Sequence, residues 1–164
     1  MKKIGLLSDT HSHLDEAIFK HFGQCDEIWH AGDFGNIHLA DELAAFKPLK
    51  GVFGNIDGAE LRGVYPETAV FQCEELKVVM RHIGGYPGRY ASGLKKLLQA
   101  ERPGLFISGH SHILRVIYDK ELGLLHINPG AAGKEGFHKM RTITRFSVSG
   151  TRIHDLEVIE LLKR

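Results

Sequence analysis

Over the first third of the chain, short apolar runs alternate with amphipathic stretches, and each apolar run ends in glycine or a polar residue. The pattern predicts strand over Lys3 to Ser8, helix over Leu14 to Phe22, strand over Glu27 to Ala31, helix over Ile37 to Phe46 and strand over Leu49 to Phe53. This βαβαβ order leaves few folds open, because parallel neighbours need a crossover and the crossover helices must cover the sheet they cross. Further on, Thr68 to Cys73 and Lys77 to His82 are expected as a hairpin around Glu74-Glu75. Leu94 to Ala100 reads as helix after the Gly-rich loop Gly84 to Gly93, and Leu105 to Ser108 as strand. The runs Leu114 to Tyr118, Leu124 to Asn128, Thr142 to Val148 and Arg152 to Leu156 predict a second, mainly antiparallel sheet. The expected fold is α/β: a four-layer α/β/β/α sandwich of two mixed β-sheets flanked by helices, built as one domain over residues 1–164. A chain of that length buries a core without disulfide or structural-metal staples.

The strand ends carry the chemistry. Asp9-Thr10-His11, Gly32-Asp33, Gly54-Asn55-Ile56-Asp57, His82 and Gly109-His110-Ser111-His112 all follow apolar runs, where loops can turn oxygen and imidazole donors toward a common point. Taken singly, each has a plainer reading: a helix cap at Asp9, a turn aspartate at Asp33, a Gly-Asn turn at Asn55, a satisfied polar residue at His82. His110 and His112 are costly to bury without partners and favour ligation. Carboxylate, imidazole and amide donors together suit Mn, Fe or Zn rather than Ca or Mg, and one carboxylate can bridge two cations. Hydrolysing a phosphate ester needs an activated water and positive charge beside the phosphoryl oxygens, which a pair of metals supplies.

In the order of these motifs the chain resembles the calcineurin-like metallophosphoesterase superfamily, specifically small bacterial and archaeal phosphodiesterases of the YfcE type, over nearly its whole length. The resemblance implies that Asp9, His11 and His112 hold one metal, that Asn55, His82 and His110 hold the other, and that Asp33 bridges them. It further implies that Asp57 acts from behind, hydrogen-bonding a ligand or bound solvent, so that Asp33, Asn55 and Asp57 form the catalytic set. The implied activity is phosphodiester hydrolysis by a metal-activated hydroxide, with two divalent ions, Mn foremost and Fe, Zn or Ni as alternatives. Asn128-Pro129-Gly130 resembles the family's loop after its late strand. Many relatives carry His at the position of Ile56, which cannot donate a proton, so His13, His138 and Arg89 become the candidate acids. Arg89 and Tyr86, with Tyr90, are expected to form a substrate rim, the arginine gripping phosphate and a ring stacking.

The expected partner is a small phosphate ester. A formal charge of +1, from 21 Lys and Arg against 20 Asp and Glu, argues against a long polyanion groove and makes nucleic acid an unlikely partner, apart from a local basic patch at Lys134, Lys139 and Arg141. Two other readings stay open: a non-catalytic scaffold on the same fold, like the retromer subunit, and a phosphomonoesterase or nuclease. The start, Met1-Lys2-Lys3, runs into a strand too short for a signal-peptide core or a membrane span. With two cysteines in no metal or redox spacing, a cytoplasmic protein with no membrane partner is expected, with homo-oligomerisation left open.

Overall fold

The computed structural model describes residues 1–161. Strands β1 (Lys2–Leu7), β2 (Glu27–His30) and β3 (Leu49–Gly51) run parallel and are crossed by α1 (Glu16–His21) and α2 (Ile37–Phe46). Asp15 caps α1 by accepting from the Ala17 amide at 2.9 Å, and Asn36 caps α2 through the Leu39 amide at 2.9 Å. After the short α3 (Ala59–Arg62) come β4 (Thr68–Cys73), β5 (Leu76–Arg81), the small hairpin β6 (Gly85–Tyr86) and β7 (Arg89–Tyr90), then α4 (Leu94–Glu101), β8 (Leu105–Ile107), β9 (Leu114–Asp119), β10 (Leu124–Pro129), β11 (Thr142–Ser149) and β12 (Arg152–Glu160).

The late strands do not form a sheet of their own. β11 and β12 extend the first sheet, in the order β12-β11-β1-β2-β3, while β9 and β10 join β4, β5 and β8 in a second sheet ordered β4-β5-β8-β10-β9. Both sheets are mixed, the second being parallel along β5-β8-β10 and antiparallel at its two edges, rather than mainly antiparallel. Strand composition reports burial and β-branching but not the distant partner each strand pairs with, which is why the division lay beyond the local pattern. The β4–β5 turn lacks glycine because Glu74 itself adopts the left-handed conformation, with φ 54°.

Alternation along the strands sorts the core into layers. Ile4, Leu6, Trp29 and Phe146 of the first sheet meet Val78, Met80, Leu105 and Ile107 of the second. On the outer face of the first sheet, Leu7 and Ile28 pack with Ile18 and Phe22 of α1 and Leu39 and Leu43 of α2; on the outer face of the second, Val79 and Phe106 pack with Leu94 and Leu98 of α4. The result is the expected α/β/β/α sandwich. Glu27 ties three strands of the first sheet together by accepting from Lys2 and Lys50, each at 2.6 Å, and from the Trp29 indole at 3.1 Å. Burial pushes its carboxyl up, but these donors outweigh it and hold it down to about 2. Arg141, expected in a surface patch with Lys134 and Lys139, is instead buried and bonded to Asp15 at 2.9 Å and to the Ala132 carbonyl at 3.1 Å. Among the described residues no helix is long and apolar enough to cross a membrane.

The layering makes α4 a support for the second sheet rather than for the strand-end loops. Leu98→Ala, which opens a void under α4, should cost about 2–5 kcal/mol in urea unfolding while leaving divalent-cation binding intact.

Candidate metal centre

Parallel strands deliver their C-terminal ends to a common edge. β1, β2 and β3 in one sheet, and β5 and β8 in the other, therefore send the loops carrying Asp9, Asp33, Asn55, His82 and His110 to one rim of the sandwich, where Asn128 stands near the end of β10. Backbone bonds zip these loops together: the Asp9 amide donates to Gly32 at 2.9 Å, the His11 amide to Asp33 at 3.1 Å, and the Gly109 amide to His82 at 3.0 Å. The loops are also tense. Asp9, His11, Asp33, His110 and His112 all sit at positive φ, between 44° and 71°, a conformation costing roughly 1–3 kcal/mol per residue that persists only when its surroundings enforce it.

Enforcement comes from side chains behind the rim. Asp57 accepts four backbone N–H groups, from Asp33 (3.0 Å), Phe34 (3.2 Å), Gly35 (3.0 Å) and Gly54 (2.8 Å), so its partners are the two loops that carry Asp33 and Asn55 rather than a ligand side chain. Asn128 donates to the Gly109 carbonyl at 3.0 Å and to Ser111 Oγ at 3.1 Å, fixing the loop of the histidine pair. Buried His30 accepts from the Gly32 amide at Nδ1 (3.1 Å), so its Nε2–H points to Thr10 Oγ1 (3.0 Å), which donates in turn to the Phe34 carbonyl at 2.9 Å. Neither His30 nor this use of Asn128 has a signal in spacing along the chain; His30 reads only as part of a strand.

The donor atoms converge in two groups, Asp9, His11 and His112 in one and Asp33, His82 and His110 in the other, with the atoms of each group within 4.8 Å of one another. Asp33 Oδ2 lies between them, 3.3 Å from His11 Nε2 and 3.2 Å from His82 Nε2. Its other oxygen is held by the Ile56 amide at 3.1 Å. Asn55 Oδ1 completes the second group, 3.0 Å from both His82 Nε2 and His110 Nδ1.

In the neutral state of His82, its contacts with Asp33 and Asn55 have no proton to make them hydrogen bonds. His82 Nδ1 lies 2.7 Å from the Ala31 carbonyl, which can only accept, so in the neutral ring the proton sits on Nδ1 and the Nε2 lone pair faces Asp33 and Asn55 oxygens. Asp9 Oδ1, 3.1 Å from His112 Nε2 and 3.7 Å from His11 Nε2, has no hydrogen-bond partner although buried, and neither has His11 Nε2. Acceptors packed against acceptors need a positive charge among them. Donors held about 2.0–2.2 Å from one divalent ion stand roughly 3–3.5 Å apart, close to the spacings seen, so the residues fit metal ions at both positions. Without metal, protons take that role. Burial pushes the Asp9 carboxyl up, yet His11, His112 and His82 pull it far below the ordinary range. Asp9 in turn, with Asp33, raises His11, and Asp33 and Asp9 raise His82 against the opposing effect of its burial.

The first group is the more enclosed. On the second side Asn55 and His110 are exposed, and a cavity of about 240 Å³ opens beside Asn55 and His82, lined also by Phe53, Arg62 and Arg81. The Arg62 guanidinium stacks 4.3 Å from the Phe53 ring centre, and Ile56 stands 45% exposed near Asn55. Arg89 and Tyr86 are not among the converging donors: Arg89 is exposed on β7, and the Tyr86 ring lies under the Arg115 guanidinium at 4.1 Å. The Tyr90 hydroxyl donates to Asp119 at 2.6 Å, which makes it a structural contact. Of the candidate acids, His13 is held below its ordinary pKa by burial and by Lys134 and Arg141, and is therefore neutral near pH 7.

The family model of the calcineurin-like phosphoesterase superfamily domain matches residues 1–151, and the chain belongs to that superfamily. A probable metallophosphoesterase of Methanothermobacter thermautotrophicus is 33% identical over 138 residues, 78% of this chain and 76% of that protein. A phosphodiesterase of Methanocaldococcus jannaschii is 26% identical over 145 residues, covering 78% of this chain and 82% of the relative. In fold the chain is similar to Vps29 of Entamoeba histolytica, crystallised in complex with zinc, with a TM-score of 0.74 at 14% identity over 97% of this chain and 98% of the other.

Two predictions arise from this geometry. A Cβ at Gly109 would stand 2.2 Å from Ser8 Oγ and 2.8 Å from Asp9 Oδ2, so Gly109→Ala should displace the Asp9 carboxylate and weaken Mn²⁺ binding at least about tenfold by calorimetry. His126, buried against Phe106 and bonded to Ser108 at 2.9 Å, is pushed down to about 4 by burial and by Arg115. The unfolded chain therefore binds a proton that the folded chain refuses between pH 6.5 and 4, and stability falls as pH falls through that window, by about 1.4 kcal/mol per pH unit for this group. Urea unfolding of His126→Gln between pH 6.5 and 4.5 should show a pH slope shallower by that amount.

Proposed function

We propose that this chain is a phosphodiesterase that works with two divalent cations, held by Asp9, His11 and His112 on one side, by Asn55, His82 and His110 on the other, and by Asp33 between them. The observation that carries the reading is the convergence of His11 Nε2 and His82 Nε2 on Asp33 Oδ2, beside a buried Asp9 Oδ1 that has no hydrogen-bond partner. When bound, such ions supply positive charge beside the phosphoryl oxygens and lower the pKa of water toward neutrality. The rest falls to the chain. Only two of the seven donors, Asp9 and Asp33, are carboxylates, so the loaded site keeps net positive charge and attracts a phosphate anion. Asp57, Asn128 and His30 hold the donor loops in position and so act as positioning residues.

The exposed side of the site, at Asn55 and His110, is where substrate enters, and the adjoining cavity with Phe53, Arg62 and Arg81 takes the second ester substituent. Room for that substituent favours a diester over a monoester; Arg81 is paired with Glu67, which also lines the cavity, at 2.7 Å, and the Arg62 guanidinium stacked on Phe53 favours an aromatic group. Ile56 at the rim cannot donate a proton to the leaving oxygen, so esters with acidic leaving groups turn over fastest. The phosphodiesterase name of the Methanocaldococcus relative supports the same reading. Mn²⁺ is the first metal to try, since mixed carboxylate, amide and imidazole donors suit it.

Hydrolysis of bis(p-nitrophenyl) phosphate with added Mn²⁺ is the test. Wild type should turn over, and Asp33→Ala should lose more than about 100-fold in rate together with its bound metal. Full activity in Asp33→Ala would overturn the mechanism, and no turnover with Mn²⁺, Zn²⁺, Fe²⁺ or Ni²⁺ would favour a scaffold role on the same fold.

A further inference from the structure

His138 stands out in the sequence as a possible proton donor, but its bonds commit it elsewhere. Its Nε2 lies 2.9 Å from the Gly133 carbonyl, which can only accept, so Nε2 carries a proton. In the neutral ring Nδ1 is then bare. That atom lies 3.2 Å from His112 Nδ1, so the proton between the two rings belongs to His112, and the rings meet edge to face, 5.0 Å between centres and 82° between planes. With its proton on Nδ1, His112 presents a bare Nε2 to Asp9 Oδ1, 3.1 Å away.

The chain of contacts closes on itself, because the Gly133 amide donates to the Asp9 carbonyl at 3.0 Å. The loop from Gly133 to His138 is thereby fastened at one end to the backbone of one donor residue and at the other to the ring of a second. It also lies hard on that ring: a Cβ at Gly136, where φ is 118°, would stand 2.4 Å from His112 Nδ1. The reverse arrangement, with His138 donating from Nδ1, would set a bare Nε2 against the Gly133 carbonyl oxygen and lose that bond.

We propose that His138 is a positioning residue that fixes the tautomer and ring orientation of His112, and so sets the affinity of the Asp9–His11–His112 position for a divalent cation. The proposal rests on the metal-centre reading above, but it concerns one position only. Outer partners that orient a ligating imidazole are commonly worth 10–100-fold in metal affinity.

Calorimetric titration of the metal-free full chain with Mn²⁺ should resolve two sites in wild type. His138→Ala should weaken one by about 10–100-fold and leave the other within about twofold. His138→Gln, whose amide oxygen can accept from His112 while its N–H₂ donates to Gly133, should recover most of the loss. Long-range ¹H–¹⁵N spectra of the Zn²⁺-loaded proteins, with His112 assigned, should show its Nδ1–H in wild type and His138→Gln, and a faster-exchanging Nδ1–H in His138→Ala. Unchanged affinity at both sites in His138→Ala, equal weakening of both sites, or a Gln variant as weak as the Ala variant would each overturn the assignment. Absence of Mn²⁺ binding in wild type would overturn the metal-centre reading itself, and this proposal with it.

Discussion

Lone pairs face lone pairs at the rim of this sandwich, and the rest of the structure can be read as the means of keeping them there. Asp9 Oδ1, Asp33 Oδ2, Asn55 Oδ1 and the bare nitrogens of His82 and His112 stand 3.0–3.2 Å from their nearest fellow acceptors. In water these atoms would turn away and find donors. Here they are held by strand ends at fixed spacing, by five left-handed donor residues, and by Asp57, whose carboxylate gathers four amides from two loops. The arrangement calls for positive charge inside it, from protons or from cations. The neighbouring carboxylates raise His11 and His82 above their ordinary values, so protons bind at the same atoms that a cation would use.

Two features separate the positions. The first, around Asp9, is enclosed and tied by His112 and His138 to the Gly133 loop. The second, around Asn55 and His110, is open and borders the cavity with its two arginines. Enclosure favours tight retention of an ion, and openness favours exchange of water for an incoming phosphate. Ile56 contributes its amide to Asp33 and an exposed apolar side chain to the rim, which shapes the entrance without providing a proton. A larger concavity of about 470 Å³ by Lys3, Cys25, Arg145 and Glu157 brings together none of these donors.

How much of this was legible beforehand depended on whether the information is local. The helix over Ile37 to Phe46 matches α2 residue for residue, because cap, apolar spacing and length all lie within ten residues. The strand-end segments were legible for a similar reason: a Gly or Asp after an apolar run is visible in the run itself, and the likeness to the superfamily supplied their order. What the chain could not show was long-range. The transfer of β11 and β12 to the first sheet depends on β1, about 140 residues away in sequence, and no local alternation or turn signal carries word of it. The partners of His30, Asn128 and His138 were similarly opaque, since each residue meets a group that folding brings to it: Thr10, the Gly109 carbonyl and His112 respectively. Arg141 showed the converse: a cation counted as surface charge turned out to be buried against Asp15.

The most direct check of the central claim is anomalous diffraction from crystals of the wild-type protein grown with Mn²⁺. Two peaks should appear, one against Asp9, His11 and His112 and one against Asn55, His82 and His110, both adjacent to the Asp33 carboxylate. A map with no ordered metal beside Asp33, or with a single ion that leaves Asp9 Oδ1 or Asn55 Oδ1 without a neighbour, would contradict the account.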